Sequence, residues 1–84
     1  MALNRALAVA ERDGVDAGRR ELAALAGERT LSRYPFYWAA RADLDRRAGR
    51  HTAARENYER AIALARSPAE RVSFERRIES LNIS

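Results

Sequence analysis

Few side chains in this chain could do covalent chemistry. His51 is the sole histidine and there is no cysteine. A lone imidazole with no second His or Cys beside it does not make a metal site, which needs several converging ligands. His51 also falls in the turn between two predicted helices, where a surface role accounts for it. Ser32, Ser67, Ser73 and Thr52 have no general base at a spacing that would activate a hydroxyl. Most carboxylates have an arginine three or four residues away, as Glu56 has Arg60, which is the pattern of helix-surface ion pairs. The reading is therefore a non-enzyme: no catalytic residue, no metal ligands and no cofactor.

What remains is recognition chemistry, and arginine dominates it. All 16 basic residues are Arg, against 12 acids, for a net charge of +4. The absence of Lys beside so much Ala is the mark of a GC-rich compositional bias. Guanidinium groups also grip carboxylate and phosphate well, so a nucleic-acid surface is one alternative. Against it, acids interleave with the arginines, as in Glu75-Arg76-Arg77, and no basic run exceeds two residues.

These side chains must be held by helices. Eighty-four residues allow one small domain, 1–84. Such a domain buries a modest share of its surface, so its core must be efficient. Apolar residues make up 46%, much of it alanine, which favours helix and close helix contacts. With four Gly, two Pro and no Asn-Gly or Gly-Gly pair, the fold class is all-α. No apolar run approaches the roughly 20 residues of a membrane span. The first twelve residues lack the order of a signal peptide. A cytoplasmic location follows as the expectation, with no membrane partner.

Five helices are predicted. The first covers 2–13, with Leu3, Leu7 and Ala10 as its apolar stripe, and Gly14 stops it. Asp16 caps the second, 16–26, whose stripe is Gly18, Leu22 and Leu25. Residues 28–33 form a polar connection. Pro35 opens the third helix, 35–48, with Tyr37, Ala40, Leu44 and Ala48 in one stripe and Trp38 and Ala42 beside it. The fourth runs over 51–66 through Ala54, Tyr58, Ala61 and Ala65. Ser67-Pro68-Ala69-Glu70 is a helix start with Ser as cap, Pro at N1 and Glu at N3. It opens the fifth helix, 68–81, with Phe74, Ile78 and Leu81 in line and a frayed tail beyond. The organisation is a hairpin 2–26, a hairpin 35–66 and a capping helix 68–81.

The spacing of Trp38, Ala42, Gly49, Ala54, Tyr58 and Ala61 resembles a tetratricopeptide repeat, a helix–turn–helix of about 34 residues. The first hairpin aligns with the second near that period: Ala8 with Ala42, Gly18 with Ala54, Leu22 with Tyr58, Leu25 with Ala61. Two positions depart from the pattern. Arg41 stands where a Leu is usual and Asp45 where an aromatic is usual. The resemblance implies a stack of hairpins that does no chemistry and offers a face to a protein partner. Two repeats fall below the three usually needed for independent stability, so a homodimer or a neighbouring domain is a second alternative.

Three segments in order, Ala2–Glu11, Ala39–Arg50 and Ala69–Leu81, resemble the C-terminal helical extension of a group of extracytoplasmic-function RNA polymerase sigma factors. That resemblance implies a bacterial regulatory module that contacts the sigma-factor core or RNA polymerase. Nothing here is similar to the promoter-reading domains of that family. The chain then corresponds to one part of such a factor or a stand-alone relative, with no direct DNA contact from this segment.

The repeat alignment points Arg5 and Arg12 of the first helix, and Phe36, Asp43, Arg46 and Arg47 of the third, toward the concave groove. Val9, Asp13 and Ala39 accompany them. Arginines around an aromatic suit an acidic segment with a hydrophobic anchor. These six residues are the expected partner-binding groove.

Overall fold

The computed structural model describes residues 2–83, with side chains over 3–81. It contains six helices and, among the described residues, no strand: α1 Ala2–Asp13, α2 Val15–Ala24, α3 Arg29–Ser32, α4 Pro35–Arg47, α5 His51–Leu64 and α6 Pro68–Ile83. The helices α1, α2, α4, α5 and α6 pack in sequence, each on the next. This is the all-α stack of two hairpins and a closing helix.

Glycine and proline set most of the boundaries. Gly14 has φ of 102°, a conformation open to glycine, and it alone separates α1 from α2. Its N–H bonds to the Ala10 carbonyl at 3.1 Å, and its carbonyl receives the Gly18 N–H at 3.2 Å. One residue thus ends one helix and begins the next. The expected cap, Asp16, is instead inside the first turn of α2, where its carboxylate stands 3.5 Å from Arg19. At the end of α4, Gly49 has φ of 79°. The Arg50 N–H reaches the Asp45 carbonyl at 2.8 Å and the Gly49 N–H reaches Arg46 at 3.0 Å, the paired bonds of a Schellman stop. Ser67 caps α6 as expected: its hydroxyl receives the Glu70 N–H at 3.2 Å, and Glu70 accepts the Arg66 N–H at 2.8 Å.

Four expectations are corrected. Residues 28–33 are not a plain polar connection but contain α3, closed by the Ser32 N–H on the Glu28 carbonyl at 2.9 Å. Half-buried Leu31 packs on the core, and the Ser32 carbonyl accepts the Trp38 indole N–H at 2.8 Å. Second, α2 ends at Ala24, before a turn over 25–27, and α5 ends at Leu64 because Ala65 turns extended, φ −58° and ψ 133°. Two residues on, Ser67 is biased away from helical backbone by Pro68 as well, so the break before α6 is complete. Third, α6 continues to Ile83, so the backbone of 82 and 83 is helical. Fourth, Leu7 is exposed, and α1 buries Ala6 in its place, beside the expected Ala10. Ala8 is exposed too. Ala6 and Ala10, at i and i+4, therefore mirror Trp38 and Ala42, two positions away from the expected alignment. The reason is steric: α1 approaches α2 so closely at Gly18 that only the alanine side of α1 fits.

The core joins both hairpins and α6. Leu22, Tyr37, Trp38, Ala42, Leu44, Ala54, Tyr58, Ala61, Phe74 and Leu81 are buried in one cluster with Ala6 and Ala10. Trp38 and Tyr58 share this core, and Ala42, Ala54 and Ala61 have no exposed surface.

Candidate partner-binding face

Phe36, Asp43 and Arg47 stand at i, i+7 and i+11 on α4 and so share one stripe of that helix. This stripe meets α6. Phe36 is 36% exposed, and its ring lies edge-on to Phe74 with centroids 5.5 Å apart. On its other side it leans on Tyr34 at 5.6 Å, and the Arg66 guanidinium lies over the Tyr34 ring. The result is an aromatic spot at the seam of α4 and α6, in which Phe36 is partly exposed over fully buried Phe74.

Asp43 does more than line a face. One carboxylate oxygen accepts the Tyr58 hydroxyl, and the other accepts Arg77 NH1 of α6 at 3.2 Å. A single side chain thus ties α4, α5 and α6 together. Burial, then the adjacent Asp43 carboxylate, pushes the Tyr58 hydroxyl up to about 12, and Arg46 opposes that rise. Arg46 is therefore within reach of the Tyr58–Asp43 pair, and Arg46 and Arg47 are both exposed.

Arg5 and Arg12 share a stripe on α1 at i and i+7, and both are exposed. Arg12 is turned onto its neighbour Asp13, at 3.1 Å. Because α1 aligns two positions away from expectation, the counterparts of Phe36 and Asp43 on α1 are Asn4 and Glu11, beside Arg5 and Arg12. Among the described residues, no hydrogen bond, ion pair or ring contact joins either arginine to the Phe36 cluster. The structure places Phe36 at the start of α4 and Asp43, Arg46 and Arg47 toward its end, and leaves Arg5 and Arg12 on a separate helix.

Sequence reasoning missed Arg77 and Phe74 as members of this face. Their spacing in α6 marks core and surface but not which helix they meet. His51 begins α5 and is exposed. No group of three or more His, Asp or Glu is placed to hold a metal among the described residues, and none of their helices is long and apolar enough to cross a membrane.

Stacked antiparallel hairpins with small residues at the crossings and aromatic plugs between define a helical-repeat protein. The family model described as tetratricopeptide repeat matches residues 2–77, and the chain belongs to that family. An uncharacterized protein of Rhizobium meliloti (strain 1021) is 39% identical over 79 residues, covering 94% of this chain and 18% of the relative. The chain therefore spans less than a fifth of the length of that curated relative. No solved structure matches.

Proposed function

We propose that this module binds protein, and that it is the regulatory extension of a bacterial sigma factor of the extracytoplasmic-function type, acting in the cytoplasm. Membership of a repeat family built for protein contact supports the first part. The ordered likeness of three segments to that extension supports the second, as does a relative in which this region is a minor share of a much longer protein. The observation that carries the reading is half-exposed Phe36 at the start of α4 and the exposed Arg46 and Arg47 at its end, about 15 Å along the helix, on a stack whose buried polar atoms are all partnered among the described residues. The aromatic supplies contact area, and the guanidiniums orient an acidic segment of the sigma-factor core or of RNA polymerase.

The test is calorimetry of this chain against the promoter-binding domains of such a sigma factor supplied without their extension. Saturable binding is expected, weakened roughly tenfold or more by Arg46→Glu with Arg47→Glu, because like charges now face the acidic segment. No binding, or equal binding by the double variant, overturns the reading. A second reading is self-association, favoured by exposed Leu7 on α1 and Val72 on α6, at 37% and 44%. Sedimentation at increasing concentration distinguishes it.

A further inference from the structure

A cleft of about 330 Å³ lies between α2 and α4, with Arg50 of the following turn at its edge. It is on the side of α4 that faces α2, away from the Phe36 stripe. Its charged lining is Asp16, Arg19, Arg20, Arg41, Asp45 and Arg50. We propose that this cleft binds the phosphate group of a small anionic ligand through Arg20, Arg41 and Arg50.

The charge balance is the first argument. Both carboxylates are held by one arginine: Arg19 Nε donates to Asp45 at 2.8 Å, and its NH1 lies 3.5 Å from Asp16. The second Asp45 oxygen accepts Asn57 Nδ2 at 2.7 Å. Among the described residues Arg20, Arg41 and Arg50 have no carboxylate partner, and the four arginines and two aspartates of the lining leave the cleft with a net charge of +2. The surplus positive charge of the lining favours an anion placed between these guanidiniums.

Preorganisation is the second. Asp45 is 5% exposed, and a carboxylate so buried is costly unless paired and hydrogen-bonded. Arg19 and Asn57 meet that cost and fix the floor of the cleft. Arg41 lies over the rings of Trp38, 5.3 Å from its centroid, and Tyr37, at 5.9 Å. Stacking restrains the long side chain before any ligand arrives, which lowers the entropy lost on binding.

The third argument joins sequence to structure. Arg41 and Asp45 are the two places where the chain departs from the repeat pattern of Leu and aromatic. Both line this cleft. Where the repeat pattern places apolar side chains on α4, these two polar ones face Asp16, Arg19 and Arg20 of α2 across the cleft.

Phosphate fits better than carboxylate. The three arginines come from three segments, α2, α4 and the α4–α5 turn. A planar carboxylate satisfies a single fork, whereas a phosphate group offers three terminal oxygens to donors from several directions. The volume is at the low end of small-ligand pockets, about 300–1,000 Å³, which suits phosphate or a short phosphate monoester.

Trp38 is the sole tryptophan, and Arg41 stacks on it, so its emission reports on the cleft. The experiment titrates inorganic phosphate into the full chain against sodium chloride and succinate at matched ionic strength, and repeats the series by phosphorus NMR line width. A saturable response to phosphate alone is expected. Arg20→Gln and Arg50→Gln, whose guanidiniums are not stacked on Trp38, should each weaken it roughly tenfold, as loss of a charge-assisted bond does, without moving the melting curve. A response that only follows ionic strength, equal saturation by succinate, or full binding by both variants overturns the proposal.

Discussion

Gly18 passes so close to Ala10 that a methyl group on Gly18 would stand 2.5 Å from the Ala10 Cβ and 3.1 Å from Leu44 Cδ1. Three helices, α1, α2 and α4, meet at this one glycine. The approach explains why α1 turns its alanines inward and leaves Leu7 outside. It also joins the first hairpin to the second.

Gly18→Ala should therefore destabilise the fold. Helix propensity alone favours Ala by about 1 kcal/mol. The clash is with a Cβ, which cannot rotate away, so α1 or α4 must shift. Overpacking of this kind costs about 1–3 kcal/mol, and the net change is a lower urea midpoint. A higher midpoint would show that α1 moves aside without loss.

Trp38→Ala should cost about 3–5 kcal/mol, the range for large core truncations. The indole is buried against Tyr37 of α4 and under Arg60 of α5, and it donates to the Ser32 carbonyl. Trp38→Phe separates the two contributions. It keeps much of the packing and leaves the Ser32 carbonyl to water, for about 1–2 kcal/mol beyond the packing loss. Equal urea midpoints for the parent and Trp38→Ala would contradict the packing described here.

Tyr58 gives the fold an alkaline limit. Its hydroxyl ionises near 10 when unfolded and is held up to about 12 in the folded chain, by burial first and Asp43 second. Between those values the unfolded chain binds fewer protons, so stability falls as pH rises. The contribution is present in full below pH 10 and lost progressively toward 12. Buried Tyr37 is shifted in the same direction. Melting temperature should drop across this window, and Tyr58→Phe should make the drop shallower. An unchanged slope in Tyr58→Phe would remove Tyr58 as its source.

Gly14, Gly49, Pro35 and Ser67-Pro68 made helix boundaries legible, whereas Gly27 did not, because α2 stops three residues earlier at Ala24. The four residues of α3 carry no period and were invisible, because a single turn is selected by Leu31 packing and the Trp38 indole rather than by its own pattern. Hydrophobicity favoured Leu7 over Ala6 on α1, but close approach selects size before hydrophobicity. Phe36, Asp43 and Arg47 could be placed on one stripe from spacing alone. The grip of Asp43 on Arg77 could not, since it depends on where α6 lands. Arg41 and Asp45 stood out as departures from the repeat. That they share a cleft depends on Arg19 of α2.

Phe36 decides whether the α4–α6 seam is only packing or also a docking face. Its ring contacts Phe74 and Tyr34, yet 36% of the residue reaches solvent. Phe36→Leu keeps an apolar contact with Phe74 and removes the exposed aromatic edge. A volume-similar apolar exchange costs under about 1.5 kcal/mol, so the melting curve should move little. In the calorimetric test of the proposed function, affinity should fall by about tenfold, because aromatic anchors carry a large share of interface energy. A variant that binds as tightly as the parent assigns Phe36 to packing alone. The docking face would then be sought on the exposed side of α6, where Arg71, Glu75 and Arg76 face solvent.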